Sequence, residues 1–236
     1  MDALMTAAAS GLRARLESLD LLANNIANQA TAGYKADREF YSLYAAEDAD
    51  GARSPVIQDN WTDHSAGTLR RTGDPAHVAI EGPGYFRVNG PQGELLTRSG
   101  AFRIGSEGGL VTQDGYGVLD RDGKPIEFDA SQPFQITADG EIRQQGKETV
   151  SLSIVQTGAA GALKKHHGTY FQSSAPTAAV ERPRVLQEHL EGANVAGPES
   201  SIRLIEVLRQ FESLQKAIGI SGDMAKSAAE IARVGS

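Results

Sequence analysis

Hydrophobic and polar positions divide the chain into two helical ends and a β-rich middle. Near the N-terminus, apolar residues recur at alternating intervals of four and three, at Met5, Ala9, Leu12, Leu16, Leu19, Ala23 and Ile26. Near the C-terminus, a similar spacing joins Leu204, Val207, Phe211, Leu214 and Ile218, after the predicted caps Ser200 and Ser201. Because this repeat keeps one apolar stripe on one helix face, each end is predicted to form a heptad helix that packs against a partner helix.

Between about residues 36 and 185, short β-rich runs replace the helical period. Runs such as "HVAI", "GYFRV" and "VSLSIVQ" are separated by Asn/Asp/Gly turn sequences such as "NGPQGE" and "DRDG", which close hairpins. The flanking stretches "AEDADGARSP" and "SSAPTAAVERPR" are rich in Pro, Ala and Ser and are predicted to be linkers. The predicted fold class is α+β, with terminal heptad helices forming a helical layer and an inserted antiparallel all-β domain.

The predicted domains are an N-terminal helix with its Asn-rich cap over residues 1–35, a β-rich outer domain over 36–185, and a C-terminal helix over 186–236. One pair of helices cannot bury both seams, so apolar surface is left for neighbouring chains. The pattern therefore favours a subunit whose termini pack into a shared helical shaft.

Composition excludes several classes of function. The 236 residues carry a net charge of −7 with a pI near 5.3. The nearest approach to a cluster of Lys and Arg is the short run "LKKHHG", so no nucleic-acid partner is expected. The absence of cysteine excludes disulfides and thiolate metal sites. No apolar run approaches the ~20 residues that a membrane span needs, so direct membrane insertion is not expected. The first twenty residues lack the pattern of a cleaved secretory signal.

No motif in the chain predicts a catalytic, cofactor or metal site. The five histidines have no H-x-x-x-H spacing, and "DRDGK" lacks the downstream Glu of a calcium loop. "GPGYFR" is followed by strand residues rather than a helix, and "GISGD" has Asp223 where a nucleophile elbow needs glycine. We therefore expect no cofactor, and a protein that is not an enzyme.

The segment "NIANQATAGYK", residues 25–35, contains more asparagine than a helix C-cap needs. A carboxamide both donates and accepts hydrogen bonds without charge, so the cluster suits a helix end buried in an assembly. "LANNIANQATAGYK", residues 22–35, resembles the N-terminal signature of the bacterial flagellar basal-body rod and hook family. Its matching positions are Asn25, Ala27, Asn28, Thr31, Gly33, Tyr34 and Lys35.

Three further stretches resemble the same family. "TGDPAHVAIEGPGYFRV" and "LTRSGAFRIGSEGGLVTQDGYGVL" are similar to its β-domain signatures, and "LEGANV" is similar to the segment that leads back into the terminal helix. "LRQFESLQKAI" is closer to the proximal-rod form of that helix, and Leu208 stands where distal-rod members usually have Gln. The N-terminal helix resembles distal-rod members at least as much, so the proximal form is only slightly favoured.

The resemblance implies a subunit exported through the flagellar type III apparatus without a cleaved signal peptide. Such proteins polymerise in the periplasm, with copies of themselves and other rod and hook axial proteins, into a hollow shaft with terminal helices inside and β domains outside. A trimeric phage-tail or adhesin stalk protein is the alternative, and a secreted hydrolase is third. The predicted assembly interface comprises Leu12, Leu16, Leu19, Asn25, Ile26, Asn28, Thr31, Gly33, Tyr34, Leu204, Val207, Leu208, Phe211, Leu214 and Ile218.

Overall fold

A computed structural model describes residues 2–45, 53–106, 108–127, 129, 132–145, 149–158 and 161–234. Within these residues it has an N-terminal helix α1 (Asp2–Ala27), a C-terminal helix α2 (Gly197–Val234) and only β-strands between them. The α+β class and the two terminal helices are therefore confirmed. Most of "AEDADGARSP", residues 46–52, lies outside the described residues.

Apart from β1 and β2, the strands have six residues or fewer, as expected where Asn/Asp/Gly turns interrupt the chain every few residues. They are β1 (Asp37–Ala45), β2 (Arg53–Thr62), β3 (Leu69–Arg71), β4 (Val78–Ile80), β5 (Tyr85–Gly90), β6 (Gly93–Thr97), β7 (Arg103–Ile104), β8 (Leu110–Val111), β9 (Gly117–Val118), β10 (Phe134–Ile136), β11 (Glu141–Gln144), β12 (Val150–Ser151), β13 (Ile154–Thr157), β14 (Leu163–His167), β15 (Tyr170–Ser173), β16 (Thr177–Ala179), β17 (Val185–Gln187) and β18 (His189–Glu191).

The chain forms two compact units. Unit 1 contains residues 1–27, 37–61 and 196–236, and unit 2 contains residues 28–36 and 62–195. The sequence division grouped residues 28–35 with the first helix, residues 37–61 with the β domain and residues 186–195 with the last helix, so its boundaries differ from these units at all three places. The chain passes between the units four times, because contacts distant in sequence decide which segment joins which unit.

Unit 1 consists of α1, α2 and a two-stranded sheet of β1 and β2. The two helices contact each other, and a Cβ built on Gly11 would lie 3.7 Å from Cδ1 of Leu214. Helix α2 begins at Gly197, so the predicted caps Ser200 and Ser201 lie inside the helix, where Ser201 Oγ donates to the carbonyl of Gly197 at 2.9 Å. Pro198 favours this earlier start, because proline is tolerated in the first turn, where an amide has no partner within the helix.

Unit 2 is built from antiparallel strand pairs, as predicted. Its largest sheet runs β14-β15-β6-β5-β9-β8-β7, with β13 pairing both β5 and β16. Smaller sheets pair β10 with β11 and β12, β17 with β4, and β18 with β3. Strand β16 lies within "SSAPTAAVERPR", so the prediction that this stretch is only a linker is wrong. Apolar side chains from many strands form the larger of two hydrophobic clusters, which includes Val78, Phe86, Phe102, Leu110 and Leu152.

Candidate assembly surfaces and buried charge cluster

Helix α1 carries two stripes, and the one it buries is not the predicted seam. Gly11, Ala14, Ser18, Leu22 and Asn25 are buried at intervals of three and four. Along the predicted seam, Leu12, Leu19 and Ile26 are half-buried and Leu16 is 48% exposed. Small residues let another element approach the helix closely, and the two polar members of the buried stripe bind β1. A search for apolar periodicity misses such a stripe.

The predicted seam of α2 coincides with its least exposed face. Val207 is buried, and Leu204, Phe211, Leu214 and Ile218 are half-buried on the same side of the helix. Leu208 lies outside this face and is 41% exposed. Ile202 and Ile205 are exposed as well, so α2 also presents apolar side chains to solvent within unit 1.

The asparagines before Gly33 have separate partners. Asn25 Nδ2 donates to the carbonyl of Asp37 at 2.8 Å, and Asn25 Oδ1 accepts from the amide of Asp37 at 3.0 Å, so this buried carboxamide holds the start of β1 within unit 1. Asn28 is half-buried in unit 2, where its carbonyl accepts from the amide of Thr31 at 3.0 Å and its Oδ1 lies 3.3 Å from Thr31 Oγ1. Asn28 and Thr31 therefore shape the turn after the helix.

Gly33 is the point at which this turn meets the rest of unit 2. Its φ is +69°, and its amide donates to the carbonyl of Glu191 at 2.7 Å. A Cβ at this position would lie 2.5 Å from Cα of Ser99, a separation that real Cβ atoms do not show. Tyr34, the next residue, is fully buried, and Lys165 Nζ lies 4.1 Å from the centre of its ring. Both a left-handed backbone and the absence of a side chain are required here.

Two cations and one carboxylate are buried together beneath this turn. Lys35 Nζ and Arg98 Nε each lie 2.7 Å from a different oxygen of Glu191, and the amide of Gly67 donates to Oε1 at 2.8 Å. None of the three charged side chains is more than 5% exposed. This cluster was not among the predicted site residues, although Lys35 and Glu191 both lie inside stretches that carry the family resemblance.

The remaining donors of the two cations point at backbone carbonyls. Lys35 Nζ also lies 2.5 Å from the carbonyl of Ser65, and Arg98 donates to the carbonyls of Gly84, Ile80 and Gly82. Burial nevertheless lowers the pKa of Lys35, although the hydrogen bond and charge of Glu191 oppose that shift. Glu191 is the ion-pair partner of both cations, so the stability of the cluster depends on its negative charge.

Asn194 ties together the segments through which the chain leaves unit 2. Its Oδ1 accepts from the amide of Ala36 at 2.7 Å, and its Nδ2 donates to the carbonyl of Asp63 at 2.7 Å. The amide of Asp63 in turn donates to the carbonyl of Ala36 at 2.8 Å. The sequence places these residues far apart, so nothing short of the fold indicates this role.

A buried tyrosine near the cluster makes unit 2 sensitive to alkaline pH. The Tyr85 hydroxyl lies 2.8 Å from His64 Nδ1, and the Tyr85 ring packs edge-on against Phe171. Burial raises the pKa of Tyr85 to about 12 from the ordinary 10.0. Burial and a hydrogen bond to Asp114 raise the pKa of Tyr170 as well.

We expect Tyr85→Phe to protect unit 2 between pH 10 and 12. The unfolded chain loses the Tyr85 proton near pH 10 while the folded chain keeps it, so stability is lost as pH rises through this window. For Tyr85 the loss is about 2–3 kcal/mol. Thermal unfolding followed from pH 8 to 12 should show a smaller decline for the variant, with Tyr170 responsible for part of what remains. Parallel curves for both proteins would contradict this assignment.

The described part of the chain contains no group of His, Asp and Glu that could hold a metal ion. Among the same residues, no helix is long and apolar enough to span a membrane.

Three family models match the sequence: Flagella basal body rod protein over residues 5–35, Flagellar hook protein FlgE/F/G D1 domain over 79–160, and Flagellar basal body rod FlgEFG protein C-terminal over 186–231. The flagellar basal-body rod protein FlgF of Caulobacter vibrioides is 32% identical over 90% of both chains.

The chain belongs to the flagellar basal-body rod protein family. FlgF of Rhizobium meliloti is 30% identical over 83% of both chains, and FlgG of Agrobacterium fabrum is 31% identical over 92% of this chain and 95% of its own. The family resemblance found in the sequence is thereby confirmed. Rod proteins of this family are structural, so the prediction that the chain is not an enzyme is confirmed as well.

The buried charge cluster joins the three parts of the chain that match rod-family models. Lys35 is the last residue of the first match, Arg98 lies in the second, and Glu191 lies in the third. Each match thus contributes one charge to a site that is complete only when all three have folded together. The rod-family signature at residues 25–35 therefore serves at least partly to fold the subunit, in addition to any contact with neighbours.

Proposed function

We propose that this chain is a structural subunit of the bacterial flagellar basal-body rod, which polymerises through its terminal helices into the periplasmic drive shaft. The main support for this proposal is the second apolar stripe of α1, the predicted seam, which lies beside the buried stripe and is not fully covered within the chain. We call it the open stripe. Leu16 stays exposed and Leu12 and Leu19 stay half-buried, although α1 already packs against α2 in the same chain. An exposed apolar stripe of this length on a helix marks a surface that another chain covers.

We propose that neighbouring subunits cover this stripe of α1, in a helical layer in which the heptad helices of many copies pack side by side. Within unit 1, α2 also exposes Leu208, Ile202 and Ile205, so two different apolar surfaces are available on one subunit. Two different surfaces suit head-to-tail contacts, which build open helical polymers rather than closed dimers. Other rod and hook axial proteins are the expected neighbours at the ends of the segment that this subunit forms.

The proposed axial helical part comprises residues 1–35 and 186–236 and the outer β part residues 36–185, as the sequence predicts, although residues 28–35 and 186–195 pack in unit 2 and residues 37–61 in unit 1. We further propose export by the flagellar type III apparatus without a cleaved signal peptide. Relatives at 32% and 31% identity include both FlgF and FlgG, so identity does not separate the proximal from the distal form. The stretch from Leu208 to Ile218 supports the proximal form. The comparisons give no support to a phage-tail or adhesin stalk protein.

Leu16→Asp and Leu208→Asp are expected to abolish motility while leaving the subunit folded. Leu16 is 48% and Leu208 41% exposed in the single chain, so a carboxylate at either site can reach water until another chain covers it. Burial in an apolar contact would then cost about 3 kcal/mol, which is roughly a 100-fold loss of affinity. The measurements are swimming assays, subunit content of purified basal bodies and thermal unfolding of the free subunit.

Leu16→Met and Leu208→Met are the matched controls, because each keeps an apolar side chain of similar volume at the same site. They should restore incorporation into the rod. Export is measured separately in the periplasmic fraction, since retained protein would imitate an assembly defect. Incorporation of both Asp variants into intact rods would refute the proposed interface, and purified subunits that stop at trimers would favour the stalk-protein alternative.

A further inference from the structure

Glu39 joins strand β1 to both helices of unit 1. This residue lies in β1, and its Oε1 accepts from Ser18 Oγ of α1 at 3.0 Å and from Arg203 Nη2 of α2 at 2.9 Å. The Glu39 side chain is only 6% exposed, and Ser18 is fully buried. A single carboxylate oxygen thus contacts both helices from the strand beside them.

A second contact makes the position of α1 along β1 specific. Ser18 and Asn25 lie seven residues apart on the buried stripe of α1, and they bind Glu39 and Asp37, which lie two residues apart on β1. Sliding α1 by one turn would move it about 5.4 Å and break both contacts at once. An apolar stripe alone sets no such position, because neighbouring apolar residues can replace one another in the contact.

We propose that Glu39 fixes the register of α1 against α2, and with it the offset between the open stripe of α1 and the exposed Leu208 side of α2. This inference rests on the proposed function, since the offset is what a second copy of the chain would meet in the helical layer. Gly11 opposite Leu214 and Ser18 linked to Arg203 show that the two helices run antiparallel. A slip of one helix along the other therefore changes the offset between the two open surfaces by the length of the slip.

The second oxygen of Glu39 indicates that this residue serves to set the register of the two helices rather than to stabilise unit 1. Oε2 is buried and has no hydrogen-bond partner among the described residues. A buried carboxylate with an unsatisfied oxygen is a poor stabiliser, and apolar replacements of buried ion pairs are often neutral or stabilising. Polar groups buried in helix contacts are best attested as devices that specify one register.

The test uses crosslinking of the purified full-length chain, which contains no natural cysteine. Leu214→Cys is combined with Gly11→Cys to report the observed register, and with Ala14→Cys or Ala8→Cys to report slips of one turn. A Cβ at Gly11 makes only ordinary contact with Leu214, so the probe fits the native packing. With a short thiol crosslinker, the pair 11–214 should exceed both slipped pairs by at least about tenfold, which corresponds to ~1.4 kcal/mol.

Glu39→Leu and Ser18→Ala should each bring the three crosslinks within about threefold of one another, because each removes the contact between Ser18 and Glu39. Glu39→Gln keeps the accepting oxygen and should keep the native crosslink. Glu17→Leu removes an exposed carboxylate beside Ser18 on α1 and is the matched control, with no expected change.

An exclusive 11–214 crosslink in both Glu39→Leu and Ser18→Ala would overturn the proposal, as would slipped crosslinks in the unmodified background or in Glu39→Gln. Because the free subunit is measured, these outcomes do not depend on assembly. Failure of the rod interface would appear instead in the Leu16 and Leu208 variants.

Discussion

Glu191→Gln is expected to destabilise unit 2 by about 3–5 kcal/mol, which is a large share of the stability of an ordinary domain. The substitution keeps the shape of the side chain and removes its charge. Lys35 and Arg98 would then remain buried as two cations without a counter-charge, at positions no more than 5% exposed. Chemical denaturation, followed by far-ultraviolet circular dichroism, measures the loss.

The matched control is Glu188→Gln, which removes a carboxylate three residues away. Glu188 pairs with Arg71 at 2.7 Å, but the two side chains are 37% and 73% exposed, so the expected change is at most about 0.5 kcal/mol. If both variants lowered the free energy of unfolding equally, burial of the Glu191 ion pairs would not increase their contribution to stability.

Lys35→Met gives a second check, because the cluster would keep one cation and one carboxylate. This variant is expected to lower the free energy of unfolding by about 1–2 kcal/mol, mostly because the Ser65 carbonyl and Glu191 Oε1 lose the donor Lys35. The double variant Lys35→Met with Glu191→Gln should be more stable than Glu191→Gln alone, since one of the two uncompensated charges is gone. Additive losses would contradict the charge balance proposed here.

The Glu191→Gln defect should also shrink as the pH rises towards 10.5. Loss of Glu191 removes the two largest influences that raise the pKa of Lys35, so burial lowers that pKa further. Between the lowered folded pKa and the unfolded value of 10.5, the unfolded chain binds more protons, and stability therefore rises with pH. The comparison between variant and unmodified protein is made in a Tyr85→Phe background, because the charge of Glu191 also helps to raise the pKa of Tyr85.

Gly33→Ala is expected to displace the signature turn from unit 2 and to prevent rod assembly. The added Cβ would lie 2.5 Å from Cα of Ser99, and the φ of +69° already disfavours a side chain. Relief requires the turn to move, which would break the bond from the Gly33 amide to Glu191 and disturb Lys35 beside it. A loss of about 3–5 kcal/mol in denaturation and absence of the variant from basal bodies are the expected results.

Gly73→Ala separates the effect of the clash from that of backbone strain. Gly73 has a φ of +80°, close to that of Gly33, and a Cβ there would meet nothing within 4 Å. Its cost should stay near 1 kcal/mol, the ordinary penalty of a left-handed residue, and its rods should form normally. If both alanine variants lost the same stability, the close approach of Gly33 to Ser99 would not matter.

The sequence alone determined the terminal helices, the antiparallel β-rich middle and the family. These features depend on patterns that repeat within a few residues: apolar spacing of three and four, alternating strand residues, and Asn/Asp/Gly turns. The signature from Asn25 to Lys35 identified the family for a related reason, because the constrained positions lie next to one another. Gly33 illustrates this, since a glycine at that one position is enough to indicate a backbone with positive φ.

Only the tertiary structure decided which stripe α1 buries, which unit residues 28–36 join, and where the charges of Lys35, Arg98 and Glu191 meet. Lys35 and Glu191 are 156 residues apart, and Ala36 and Asn194 are 158 residues apart. In α1, the prediction selected the more apolar stripe, whereas the fold buries the stripe that combines small residues with Ser18 and Asn25. The physical reason is that burial depends on how closely another element can approach and on which polar partners it brings, and neither property is visible along one helix.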